Sequence, residues 1–574
     1  MKRNLMCLLM VVLCLACACG LAADKDHTFK KAEYRVNMGS EKEDFFTMSC
    51  YLMDGVDDML WMEMHDWCDV MNFLYGEQNN DPKYSLTLAT EGNKVTLERE
   101  NGYLMEMDFD KDTITFNDYN GFMHDSSDSS LLDMLSTSGY SATGEAEMFE
   151  RVAVSSFDRY GDVKVLELMP YGIEMVAKDG GFYVPLQTLN DFLIAPHLLM
   201  NFLFNGEELF LVTSNMMGSE YSGYTELGER YYSVKPRQRS KELAEYGYSE
   251  LCMMLDNLYG LKEVHDISNF DQLFWQIGYD EPLRSLDTQD ADTALSTFIE
   301  YYLDDVHSTF INKSWMTGPE FKDTSYGPSR EKSDNSDKRL KKMREAVWGD
   351  TFHYYQEVGN TAYITFDEFD YEGPSAYYDI NNMDDMPNDT VGLIIYAHDA
   401  IYRKDSPIEN VVMDLSINGG GAVDAAIFAM AWYLGEAPLS MKDISTGALS
   451  NLLYHADTNL DRKFDISDTV MDKKLYCIIS PSSFSCGNLV PAAFKSSGVV
   501  TLLGRTSGGG SCSVQPASTA WGTMFNYSSP RRLSFLKNGS FYDIDQGVEP
   551  DFVINDMSKI YDRQALTDYI NHLF

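Results

Sequence analysis

Lys474-Leu-Tyr-Cys-Ile-Ile-Ser-Pro-Ser-Ser-Phe-Ser-Cys-Gly-Asn-Leu-Val-Pro491 carries the change of pattern that decides the fold. Lys474 to Ile479 is an apolar run of the kind buried on both faces of a parallel sheet. After the serines, Leu489, Ala492, Ala493 and Phe494 recur at helical spacing. Ser485 therefore stands at a strand-to-helix junction, where helix N-terminal amides can stabilise an oxyanion. Ser482, Ser483 and Ser485 also suit an ordinary turn and N-cap, so neighbouring segments must decide between the two.

Upstream, Asn410-Val-Val-Met-Asp-Leu-Ser-Ile-Asn-Gly-Gly-Gly421 is an apolar strand running into three glycines, followed by a helical stretch to Leu434. Gly419 and Gly420 lack side chains, so their N–H groups can approach a reacting carbonyl, with the Cys486 amide as second donor. A phosphate-binding loop would need a lysine after the glycines, and none follows. Further upstream, Ile299-Glu-Tyr-Tyr-Leu-Asp-Asp-Val-His-Ser-Thr-Phe310 ends a helical stretch in His307. A lone histidine usually lies at the surface or in a satisfied core site, and only its company gives it another role.

The order D-x-x-H-S, D-L-x-x-N-G-G-G, S-F-S-C-G-N, G-R-T-S-G-G-G and G-V-E-P-D resembles the tail-specific, or C-terminal-processing, serine peptidases. The resemblance spans about residues 240 to 560 and implies a crotonase-like (ClpP-like) α/β peptidase core with a helical cap. It implies Ser485 as nucleophile, with Asn488 where the family usually has glutamate. Gly509 stands where the bacterial processing proteases carry a lysine base, so a Ser-Lys pair is not expected. A second branch, similar to the tricorn core, the chlamydial secreted protease and the retinoid-binding repeats, uses a histidine base, which His307 matches. In that branch a carboxylate before the final G-V-x-P-D orients the histidine; Asp545 or Asp543 fills this place, Asp545 preferred.

The formal net charge of −44 opposes binding to nucleic acid and to anionic membranes. The basic start, apolar stretch and small residues of 1–23 read as a signal peptide, and Cys17 or Cys19 could accept a lipid. The expected location is thus extracellular or in a bacterial envelope, with membrane contact only through an N-terminal lipid. Cys50, Cys68, Cys252, Cys477, Cys486 and Cys512 are too scattered for a disulfide framework, and Cys486 reads as a space filler beside Ser485. Lys495 lies ten residues past Ser485 on the departing helix, roughly 15 Å along its axis and out of reach as a base.

The expected divisions are 24–150, Met-, Tyr- and Asp-rich; 151–235, a small α+β module; 236–350, a helical cap and loop carrying His307; and 351–574, the peptidase core. Within the third, 312–350 reads as a mobile loop over the cleft, and the roughly fifty residues between His307 and the strand Thr361-Ala-Tyr-Ile-Thr-Phe366 leave too little room for a PDZ insert. No cofactor is required. Asp457, Asn459, Asp461, Asp465 and Asp468 follow calcium-loop spacing, although Arg462 replaces the usual glycine. The functional expectation is a serine endopeptidase acting on protein or peptide substrates. Its alternatives are an inactive extracellular binding protein of the same fold and an envelope adhesion protein.

Overall fold

The structure, a computed structural model, describes residues 27–39, 45–74, 85–99, 102–123, 132, 148–152, 159–217, 225–320, 325–380 and 386–573. The segment 1–23 expected to be a signal peptide, with Cys17 and Cys19, lies outside the described residues. In the N-terminal part, Phe29–Asn37 and Phe45–Met53 pair antiparallel, while the fully buried Leu209–Val212 joins Phe29–Asn37 in parallel. They belong to a seven-stranded sheet that also holds Asn201–Phe204, Leu60–Glu63, Gly181–Pro185 and Val176–Lys178. A second, five-stranded antiparallel sheet closes with Thr113–Phe116 against Lys164–Glu167. Both sheets mix strands from before and after residue 150, so the division expected there does not separate two folded units. Burying the apolar runs near 182 and 210 requires hydrogen-bonding partners, and the earlier strands supply them.

Helix α1 (Lys241–Leu258) opens the cap, its N-terminus closed by the Ser240 side chain accepting from the Leu243 amide. A π-helix, Phe298–Leu303, ends at Asp304 in left-handed conformation, and the turn carrying His307 leads into β1 (Thr309–Asn312). The next segment differs from expectation. Instead of a loop, Pro328–Trp348 forms a 21-residue helix, α2. Its charged composition hides a narrow stripe, Leu340, Met343, Arg344 and Trp348, that packs on the core at helical spacing. Trp348 Nε1 donates to the Tyr561 carbonyl, and Arg344 forks onto both Asp367 oxygens at 2.7 and 2.6 Å.

The core then runs β2 (Tyr355–Val358), β3 (Thr361–Thr365), β4 (Asn410–Asp414), α3 (Val423–Leu434), β5 (Ala437–Asp443), β6 (Leu449–Ala456), β7 (Lys474–Ile479), α4 (Cys486–Ser497), β8 (Val500–Gly504), β9 (Cys512–Ser518), β10 (Met524–Ser534) and β11 (Phe552–Val553). One sheet has the order β2-β3-β4-β7-β8-β11, parallel from β3 onward. β4 and all of β7 beyond Lys474 are buried, as the apolar runs require of central strands. A second sheet orders β1-β10-β5-β6 with Phe149–Arg151 at its edge, and β9 also pairs with β10. The pairing of β1 with β10 joins the cap to the core immediately after His307. At the end of β4, buried Asp414 pairs with Arg563 at 2.7 Å.

Candidate active site

Beyond β7, Ser483 Oγ donates to the Leu415 carbonyl at 2.6 Å and the Phe484 amide to the Asn418 carbonyl at 3.0 Å. The Ser485 amide then donates to the Gly509 carbonyl at 2.9 Å. These bonds hold Ser485 at φ 55°, ψ −122°, a conformation that strains a residue with a β-carbon. Helix α4 starts at the next residue, so Ser485 sits on a sharp strand-to-helix elbow at a helix N-terminus. The elbow closes against the glycine loop: a β-carbon on Gly487 would lie 2.3 Å from the Asn418 carbonyl oxygen.

The amides of that loop differ from the sequence expectation. The Gly419 N–H is taken up by the Asp367 carbonyl at 3.1 Å, and the Gly420 N–H by Asn418 Oδ1 at 3.0 Å. Neither is a free donor in this arrangement. Gly421 and Cys486 instead line the same cavity as Ser485, of about 310 Å³, and Cys486 Sγ lies 3.3 Å from the Gly421 carbonyl. Gly420 is the spacer, since its β-carbon would come 2.7 Å from Ser485 Cβ and 3.1 Å from Oγ.

His307 lines an adjoining cavity of about 500 Å³ together with Asp305, Asp545, Phe484 and the start of α2; Gly510 borders both cavities. Its ring packs on that of Phe484 with centroids 4.6 Å apart. Its Nε2 is buried and has no hydrogen-bond partner, so no bond joins it to Ser485 here. Burial lowers the His307 pKa; the nearby carboxylates of Asp305 and Asp545 oppose this, while Arg330 adds to it. The imidazole is therefore neutral near pH 7 and able to accept a proton.

The two aspartates considered as its partner occupy different surroundings. Asp543 is mostly exposed and pairs with Arg532 at 3.0 and 3.1 Å. Asp545 is largely buried, accepts from the Ser511 amide and hydroxyl at 3.1 Å each, and borders the His307 cavity. Asn488 helps hold it there: Nδ2 donates to the Ile544 carbonyl at 2.9 Å, and Oδ1 accepts from Ser507, whose oxygen accepts from the Val548 amide. A glutamate could not make the donation to Ile544, which gives a physical content to this departure from the family pattern.

Gly509 has φ 83°, and a β-carbon there would fall 1.9 Å from the Asp545 carbonyl oxygen. The position that a lysine would need thus has no room for a side chain. Lys495 lies out on α4, paired with Asp551. The described cysteines are all free and buried, and burial pushes the Cys486 thiol up to about 12 and Cys512 higher still, so neither is an activated nucleophile. In the 457–468 loop, Asp457 accepts from the Tyr378 hydroxyl and two backbone amides, and Asp468 from the amides of Thr458, Asn459 and Asp465. Asp461 binds Lys463, Asp465 caps Ser467, and Asn459 Oδ1 accepts the Asp461 amide. These side chains serve the loop's own backbone, and among the described residues no group of three or more His, Cys, Asp or Glu is arranged to hold a metal. No helix among them is long and apolar enough to cross a membrane.

Residues 360–554 match the family model described as Peptidase family S41. A Chlamydia pneumoniae protein is 31% identical over 109 residues, covering 17% of this chain and only 16% of that protein's length. Among solved structures, mature CPAF complexed with lactacystin aligns at 10% identity over 58% of this chain and 97% of its own, with a TM-score of 0.36. The photosystem II D1 C-terminal processing protease aligns at 15% identity over 35% of this chain and 45% of its own, with a TM-score of 0.25. The stretch from 360 to 554, which carries the strand-elbow-helix and the glycine loop, is the part of the chain that is similar to peptidase family S41.

Proposed function

We propose that this chain is a serine endopeptidase that cleaves protein or peptide substrates outside the cytoplasm. The observation that carries the reading is the strained elbow at Ser485, aimed into a cavity that the amide-bearing residues Gly421 and Cys486 also line. In this reading Ser485 Oγ bonds to the peptide carbonyl carbon while its proton passes to His307 Nε2. The amides of Gly421 and Cys486 hold the oxyanion. His307 then returns the proton to the departing amine as the C–N bond breaks, and water hydrolyses the acyl-enzyme. Asp545 orients the imidazole and stabilises its charged form. The lack of space at Gly509 supports a histidine over a lysine as base. The Ser485–His307 bond forms when substrate binds, as catalytic hydrogen bonds often tighten only in the complex.

A second reading, a binding protein of the same fold, is favoured by the missing Ser485–His307 bond. Hydrolysis of an unfolded protein substrate by the purified mature chain separates the two. Turnover that Ser485→Ala abolishes without lowering the unfolding midpoint supports the peptidase; turnover retained by Ser485→Ala refutes it.

A further inference from the structure

The loop that presents His307 is held from outside by a cation that the motif order does not include. Arg330, in the first turn of α2, reaches back over the 304–308 turn with only 14% of its side chain exposed. One terminal nitrogen donates to Glu300 Oε2 at 2.8 Å. The other donates to the carbonyls of Val306 at 2.9 Å and Ser308 at 3.2 Å, the residues on either side of His307. Glu300 in turn accepts the Phe310 amide through its other oxygen, at 2.8 Å. The turn is also closed from within, since Asp305 accepts the His307 amide and the Ser308 hydroxyl, and Asp304 accepts the amides of Ser329 and Arg330 at the head of α2.

We propose that Arg330 is the positioning residue for His307, and that α2 acts as a splint fixing the direction of the imidazole. The proposal rests on the reading of His307 as the base. Only a guanidinium suits the place. Its planar fork reaches a carboxylate and two carbonyls at once, which a lysine ammonium on a flexible stem cannot reproduce with the same geometry. Removing the grip frees the peptide units flanking His307 while leaving β1 paired to β10. A displacement of about 1 Å in a reacting group is enough to lower turnover roughly a hundredfold. Arg330 also bears on the imidazole electrically. The charged groups facing His307 are Asp305, Asp545 and Arg330, with Asp304, His265 and Lys332 bordering the same cavity. Arg330 opposes protonation, so its loss raises the point at which His307 titrates.

The test uses the whole mature chain with isotope-labelled histidine, the His307 ring signals being assigned by their loss in His307→Asn. Two variants are compared with the parent. Arg330→Lys keeps the charge and the partner for Glu300 but loses the fork; the pair Arg330→Met with Glu300→Gln removes both charges and retains an acceptor for the Phe310 amide. The expected results are altered His307 ring signals in both variants and an upward shift of its titration in the pair. In Arg330→Lys, kcat falls about tenfold to a hundredfold with KM within about twofold. A destabilising role alone would move neither the titration nor kcat separately from KM. His307 signals and titration identical to the parent in both folded variants would overturn the proposal. If the parent shows no turnover, the reading of His307 as base falls, while the ring signals and titration still decide whether Arg330 positions it.

Discussion

Gly420→Ala gives the sharpest test of how the glycine loop and the elbow fit, because Gly419→Ala beside it is an internal control. At Gly420 the backbone has φ 113°, and the new methyl carbon would lie 2.7 Å from Ser485 Cβ, 3.1 Å from Oγ and 3.2 Å from the Cys486 amide nitrogen. Carbon atoms rest at about 3.5 to 4.0 Å, so the loop and the elbow must separate by roughly 1 Å. The unusual backbone region adds about 1 to 3 kcal/mol for a residue with a β-carbon. Against a total stability of about 5 to 15 kcal/mol, that is a visible loss. The displacement falls on the nucleophile and on the Cys486 amide, so an activity loss of about a hundredfold or more is expected. At Gly419 no heavy atom lies within 4 Å of the added carbon, and its φ is not in the restricted positive range. Gly419→Ala should therefore stay within about 0.5 kcal/mol of the parent and keep nearly full activity. Urea unfolding midpoints and kcat/KM on one peptide substrate read both effects. Equal behaviour of the two variants would refute the close approach.

Three further outcomes follow from particular residues. Burial lowers His398 to about 4 from an unfolded value near 6.5, and its Nδ1 accepts from Trp432 Nε1 at 3.1 Å. The unfolded chain binds the proton first, so this stabilisation is complete above pH 6.5 and fades as pH falls toward 4; urea titrations should show the parent losing about 3 kcal/mol more than His398→Gln over that range. His307 is shifted in the same direction, so the acid limb of kcat/KM should have its midpoint below 6.5, and a midpoint above 7 would contradict the buried geometry. Calcium at 457–468 would have to displace the amide bonds of Asp457 and Asp468, so millimolar calcium or a chelator should leave the unfolding midpoint unchanged, and a rise of several degrees with calcium would show otherwise.

The core was legible where one stretch of chain carries its own reason. Lys474–Ile479 is a strand because it is apolar without interruption from Leu475 onward, and Ser485 falls at the elbow because turn residues and then a helical stripe follow. The motif order names segments that different parts of the fold gather: the parallel strands bring the glycine loop to the Ser485 elbow, while the turn before β1 and the acidic segment border the adjoining cavity. The less legible features depend on distant partners. Strand exchange across residue 150 joins Phe29–Asn37 to Leu209–Val212, and no local periodicity encodes that pairing. The packed stripe of helix α2 holds only three apolar residues, Leu340, Met343 and Trp348, among charges, so its composition resembles a loop. Asp543 and Asp545 alternate in sequence and both reach Arg532, but Asp543 is mostly exposed while Asp545 is turned inward onto Ser511. The grip of Arg330 on His307's neighbours spans more than twenty residues of chain and follows no motif.

The most direct measurement is labelling of the purified protein with a fluorophosphonate, with the modified peptide identified by mass spectrometry in the parent, Ser485→Ala and His307→Ala. The account predicts a single adduct on Ser485 in the parent, none in Ser485→Ala, and labelling slowed by at least about a hundredfold in His307→Ala. An adduct on another residue, or labelling of Ser485 at the parental rate without His307, would contradict it.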